Sequence, residues 1–310
     1  MAVNESPADR GVAFGRPHGT DTALLVVALL AVSTSGPLIA GITVPALAIA
    51  FWRNAMACAV LVPYSAVRPG IRRELLGLNR RELTLSVVAG VLLALHFATW
   101  VPSLTFTSVA SATALVASQP VWSALIARAQ GQHVARQAWL GVAIAITGVA
   151  LLTGLDFSLS ARTLGGDVLA IIGGIFAAGY VAVGGQVRRT VSTTAYTTLC
   201  YSTCSIVLLP VCLLSGSRLN GYEAIAWLGL VGLTVGAQLL GHSLLARVLR
   251  ATDPTFVSLM ILFEVPGAAL LAALFLHQTP PWRALPAAAL LLAGVIVVVR
   301  SSSRAVPVVE

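Results

Sequence analysis

Apolar positions gather into ten stretches, near 22–42, 46–66, 84–104, 107–127, 138–155, 167–186, 195–215, 224–246, 254–275 and 284–300, with short polar connections between them. A hydrocarbon core about 30 Å thick takes about 20 residues of helix at about 1.5 Å each, and every stretch meets or approaches that length. Open strands would leave backbone amides and carbonyls without partners in lipid, so the stretches are predicted to be helices. The pattern describes an all-α polytopic membrane protein with ten transmembrane helices. The opening residues, MAVNESPADRGVAFGRPHGT, are polar and lack the apolar core of a signal peptide. Residues 1–21 are therefore expected to form a disordered tail, with the first apolar run kept as an anchor and 301–310 as a second tail.

The connections carry the charge. All nineteen basic residues of the 310-residue chain are arginine. Arg68, Arg72, Arg73, Arg80 and Arg81 crowd the loop between the second and third stretches, and such loops stay in the cytoplasm. With that loop inside, Arg10, Arg16, Arg128, Arg136, Arg188, Arg189, Arg247, Arg250, Arg300 and Arg304 fall inside too. Only Arg162, Arg218 and Arg283 fall outside, so both termini are expected in the cytoplasm. The net charge of +8 is thus a topology signal, and the lipid bilayer, not nucleic acid, is the expected partner. A chain without lysine has no Walker-type phosphate loop and no Schiff-base lysine. Its abundance of Ala, Leu, Val, Gly and Arg suggests a GC-rich bacterial genome, hence the cytoplasmic (inner) membrane. The four cysteines lie in apolar segments without CxxC spacing, so they read as small buried hydrophobes; no metal and no cofactor is expected.

Sliding the chain by 146 residues superposes His96 on His242, Pro120 on Pro266, Gln132 on Gln278 and Gly148 on Gly294 without a gap. Each copy spans five stretches, 22–155 and 167–300. A five-helix unit enters on one side and leaves on the other, so its second copy must be inverted. On this plan His96 lies in the outer half of the membrane and His242 in the inner half.

Polar groups within the apolar runs are the candidates for chemistry. Glu264 sits near the middle of the ninth stretch, where a bare carboxylate costs several kcal/mol and must be protonated, paired or bathed in water. It reads as a substrate anchor or proton site, or else as a neutral hydrogen-bonding group between helices. Arg53 is well inside the second stretch and either snorkels to the boundary or faces a cavity. His96 and His242 suit a proton relay or shared packing. Pro120 and Pro266 free carbonyls near Val116 and Leu262, and irregular backbone at mid-membrane is tolerated beside a wet cavity. Ser118 and Gln119 precede Pro120, while Ser33, Thr34 and Ser35 precede Pro37 in the first stretch. Trp100, Trp122 and Tyr180 fall within stretches; Trp139, Trp227 and Trp282 fall near ends, as interfacial anchors do. Gly232xxxGly236 and the Gly141/Gly148 pair are expected to mark close helix approach. Asp21, Asp167, Asp253 and Glu223 fall at helix edges.

HFATWVPSLTFTSVASATALVASQP and its second-half partner PTFVSLMILFEVPGAALLAALFLHQTPP resemble the EamA-type branch of the drug/metabolite transporter superfamily over roughly 22–300. The resemblance implies a ten-helix inner-membrane carrier built from two inverted repeats, exporting amino acids, other metabolites or toxic compounds. It places Ser33, Ser35, Trp100, Ser118, Gln119, Tyr180, Gln238 and Glu264 near the solute. Val265 separates glutamate from proline where many relatives have them adjacent, and HQTPP replaces the usual acidic residue after the ninth helix.

The expected function is secondary transport of a small metabolite, amino acid or drug-like solute by alternating access, as an exporter, with protons as a candidate coupling ion and a homodimer admitted. The alternatives are a non-transporting membrane scaffold and an intramembrane enzyme. The second meets neither an aspartate cluster for a metal-bound diphosphate nor a GxSG serine, so no catalytic residue is assigned.

Overall fold

The computed structural model describes residues 19–131, 134–157, 160–241, 244 and 262–303. His242, most of the charged stretch after it and the first part of the expected ninth helix lie outside the described residues. Every described element is helical. In chain order these are α1 (Gly19–Ser33), α2 (Ser35–Gly41), α3 (Ala46–Val67), α4 (Pro69–Leu76), α5 (Arg80–Ser103), α6 (Val109–Val116) and α7 (Gln119–Ala129). There follow α8 (Arg136–Phe157), α9 (Ala161–Val187), α10 (Thr193–Leu214), α11 (Ala224–Leu233), a π-helix at Thr234–Gly241, α12 (Glu264–Leu276) and α13 (Ala284–Ser303). Among the described residues eight helical stretches are long and apolar enough to cross a membrane, and Arg136–Leu152 and Glu264–Leu276 are shorter apolar helices.

Among the described residues two α-helical crossings break at a turn and α12 begins after one, and the local sequence explains where. The first breaks at Thr34, whose hydroxyl donates back to the Ala31 carbonyl at 2.6 Å, with Pro37 in the opening turn of α2. A turn at Ala117–Ser118 separates α6 from α7, and Pro120 is the second residue of α7. A turn at Leu262–Phe263 precedes α12, with Pro266 as its third residue. Proline is tolerated in the first turn of a helix, where its missing N–H would have no partner, so each proline stands in the opening turn of its helix. Pro120 and Pro266 are equivalent under the 146-residue shift. The π-helix interrupts the crossing that begins with α11, and nothing in TVGAQLLG announces it.

The packing pairs each repeat with its counterpart: α3 lies against α10, α6 against α12 and α8 against α13. The α8–α13 crossing is the closest. A Cβ on Gly148 would lie 2.4 Å from the Leu291 amide nitrogen, and one on Gly294 would lie 2.3 Å from that of Ala145. Gly141 faces Val298 across the same seam, so residue numbers rise on α8 as they fall on α13 and the two helices run antiparallel. Small residues let the backbones touch, which is how helices associate where lipid supplies no hydrophobic drive. Gly141 and Gly148 thus mark a close approach. Gly232 and Gly236 do not, since a Cβ at either would meet nothing within 4 Å.

Asp167 differs from its sequence reading as well. Capped by Ser160, whose hydroxyl accepts from the Thr163 amide at 3.1 Å, α9 begins at Ala161 and carries Asp167 into a fully buried position. Between the second and third crossings, α4 leans on the bundle through Ile71 and Leu75, and Glu74 accepts from the Ser192 amide at 2.5 Å and its hydroxyl at 2.6 Å. Asn79 and Glu82 close a capping box at the start of α5, and Glu82 also accepts from Thr190 at 2.7 Å. These bonds join the arginine-rich loop to the α9–α10 junction.

Candidate functional site

A cavity of about 910 Å³ lies between the two halves of the bundle. Eight of the ten sequence-nominated residues line it: Ser35, Arg53, His96 and Trp100 from α2, α3 and α5, Gln119 and Tyr180 from α7 and α9, and Gln238 and Glu264 from the π-helix and α12. Both interrupted α-helical crossings, α12 and the π-helix contribute. The two remaining nominees lie off the cavity. Ser33 packs against Gly267, where a Cβ would come within 2.5 Å of its hydroxyl oxygen. The Ser118 hydroxyl donates to the Leu115 carbonyl and accepts from Trp122 Nε1 at 2.9 Å, which stitches the turn before α7 together.

Arg53 is the largest fully buried side chain, 1% exposed. Its Nε and Nη2 both donate to Gln238 Oε1, at 2.9 and 2.6 Å, while the guanidinium carbon stands 4.3 Å above the Phe97 ring. Gln238 Nε2 donates in turn to Asn54 Oδ1 at 3.4 Å, and Asn54 is anchored to the Ala50 carbonyl at 2.9 Å. Gln238, also 1% exposed, is thus the hinge of a buried polar chain. Its position in a π-helix, whose wider turn redirects side chains, is a common feature of functional sites. Arg53 Nη1 has no partner. The Ser35 and Thr113 hydroxyls and Trp100 Nε1, all on residues lining the cavity, are also buried and unpartnered.

His96 is fixed by backbone. Its Nδ1 lies 2.9 Å from the Gly173 carbonyl, which only accepts, so Nδ1 carries the hydrogen and donates. The ring stacks on Trp100 with centroids 5.6 Å apart. Gly173 allows this approach, since a Cβ there would lie 3.0 Å from that of Trp100. Glu264 is the first residue of α12, where the Val265 and Gly267 amides donate to the Leu262 and Phe263 carbonyls at 3.2 and 3.0 Å.

Toward one end the lining passes Tyr196 and Thr197 to Gly185, Arg188, Thr193 and Thr194 at the α9–α10 junction, the junction tied to the arginine-rich loop. At the other end the elements press together. A Cβ on Gly36 would lie 3.1 and 3.3 Å from Val109 and Thr113, one on Gly41 3.2 Å from Leu276, and one on Gly166 2.8 Å from Phe106. The Val109 amide donates to Gln278 Oε1 at 3.3 Å across the same region.

Sequence reasoning nominated no site residue on the seventh crossing. Tyr196 and Tyr201 of α10 line the cavity, as do Phe97 and Thr113. Aromatic residues in an apolar run give no sign of which face they occupy. Arg53 was found only because a charge at that depth needs a reason.

A family model described as the EamA-like transporter family matches residues 22–154 and again 164–300. No curated protein matches the chain. Among solved structures, one described only as a crystal structure of a protein has a TM-score of 0.61 at 18% identity, covering 91% of this chain and 98% of its own. At that identity it shows likeness of fold alone.

Proposed function

The chain belongs to the EamA-like transporter family, whose members move small solutes across membranes, and on that premise we propose an exporter that works by alternating access around the 910 Å³ cavity. The observation that carries this reading is the lining itself, in which Ser35 and Gln119 stand at helix breaks, Gln238 in a π-helix and Glu264 at a helix start. Irregular backbone at membrane depth is tolerated beside a wet cavity and is where transporters hold their solutes.

The antiparallel α8–α13 seam supports inverted repeats. The contact between Gly148 and Leu291 becomes that between Gly294 and Ala145 when each residue is exchanged for its equivalent, so the crossing has a local two-fold axis. Between antiparallel helices that axis is perpendicular to them and lies in the membrane plane. Two repeats related in this way rock against each other and expose a midplane site to one side at a time. Because the cavity runs toward the arginine-rich loop, and such loops stay inside, the conformation is inward-facing with both termini in the cytoplasm. Ser35, Arg53, His96, Trp100, Gln119, Tyr180, Gln238 and Glu264 form the solute site. Glu264 is the proton-exchanging group, since it is a carboxyl on the cavity at a helix start.

The test compares solutes in the medium of cells carrying the wild-type protein, Glu264→Gln or an empty vector, by untargeted mass spectrometry at two external pH values. Accumulation of a solute class with the wild-type protein alone supports export. Three matching profiles with confirmed expression overturn it.

A further inference from the structure

Resting on that reading of the cavity, we propose that the solute is anionic, and that its oxyanion, of carboxylate type, is received by Arg53.

The argument starts from what Arg53 lacks. A guanidinium has five N–H donors and no acceptor, and stays charged in proteins. At 1% exposure it has little water to satisfy it, and an unpaired buried charge is costly. Its neighbours meet only part of that demand. Nε and Nη2 share the single oxygen of neutral Gln238, Phe97 offers a ring face, and Nη1 is bonded to nothing. None of the three nitrogens is bonded to a carboxylate. Glu264 lines the same cavity without bonding to them.

The other unpartnered groups point the same way. Trp100 Nε1 only donates, and the Ser35 and Thr113 hydroxyls can donate. Unpartnered groups able to donate, on residues that line the cavity, favour a ligand rich in acceptors, and a planar two-oxygen anion matches the guanidinium fork. Phe97, Trp100, Tyr180 and Tyr201 line the cavity around these donors. An apolar or aromatic body behind the anion therefore fits better than a second charge.

The test uses the whole protein in nanodiscs and three radiolabelled probes of one shape: phenylacetate, phenylacetamide and phenethylamine. Equilibrium dialysis, corrected for empty nanodiscs, should show phenylacetate binding roughly tenfold tighter or more than the amide or the amine, as a charge-assisted pair in a buried site requires. Arg53→Gln should erase the preference. Should that variant fail to fold, Gln238→Glu keeps the shape of the site and gives Arg53 an internal carboxylate. It should reduce phenylacetate binding to the level of the amide while the melting temperature holds or rises.

A preference for the amine, equal binding of all three probes, absence of phenylacetate binding, or full phenylacetate binding by Gln238→Glu overturns the proposal. The cell export comparison is read separately. Export with amine preference sinks only the anion assignment; Arg53-dependent phenylacetate binding without export sinks only the transport reading.

Discussion

Gly148 of α8 and Leu291 of α13 meet backbone to backbone, with room for no side-chain carbon on the glycine, and the mirror contact joins Gly294 to Ala145. This seam holds the two halves of the chain together away from the solute cavity. Gly148→Leu should therefore lower the melting temperature in detergent, by overpacking on the order of 1–3 kcal/mol or more. Gly232→Ala, at an open helical position, should be neutral or stabilising by up to about 1 kcal/mol. Equal tolerance of both substitutions would remove the seam from the account.

Gln238 is the only residue hydrogen-bonded to the Arg53 side chain among the described residues. Gln238→Leu leaves two more guanidinium nitrogens without acceptors and should cost about 1–3 kcal/mol or more. Thermal unfolding of the purified variant measures this; an unchanged midpoint would mean that water or another group already serves Arg53.

Glu264→Gln keeps the shape of the side chain and removes its proton exchange. If Glu264 exchanges the coupled proton, efflux from loaded proteoliposomes should fall toward that of empty liposomes and lose its response to a pH gradient, while the melting temperature stays near wild type. A variant that still follows the gradient would release Glu264 from that role.

Thr194 stands where the cavity reaches the α9–α10 junction. A cysteine at this position should react with a membrane-impermeant thiol reagent in inside-out vesicles, and much less in right-side-out ones. Of the four native thiols Cys200, Cys204 and Cys212 are buried and Cys58 is half-buried, so the experiment is done on a Cys58→Ser background. The reverse labelling pattern would invert the assigned orientation.

Glu74 fastens α4 to the bundle through two short bonds to Ser192. Glu74→Ala should raise amide hydrogen exchange across 69–77 and at Ser192, with little change in α8 or α13. Unaltered exchange would show that Ile71 and Leu75 hold α4 without it.

Much of this was legible in the sequence, for reasons specific to certain residues. Runs of about 20 apolar residues can only be helices in lipid, and Pro120 located a break and Pro266 the start of α12 because proline acts through its own backbone. Arg53 and Glu264 stood out because charge at depth is costly. Side-chain direction was less legible: Ser33 and Ser118 sit beside breaks as Ser35 and Gln119 do, yet they face helix neighbours. The π-helix that sets Gln238 against Arg53 left no mark, since one extra residue in a turn changes no residue type. Gly232 and Gly236 have the spacing of a contact motif without the contact, because a motif does not say which helix lies opposite.

None of the cavity-lining residues comes from α8 or α13. Assembly and recognition are thus written on different parts of the polypeptide. Substitutions that retune the solute can accumulate around Arg53 and Gln238 without touching the glycine seam. The seam, being self-matching, is also the surface through which a single five-helix chain could have joined a second copy of itself before the two were fused.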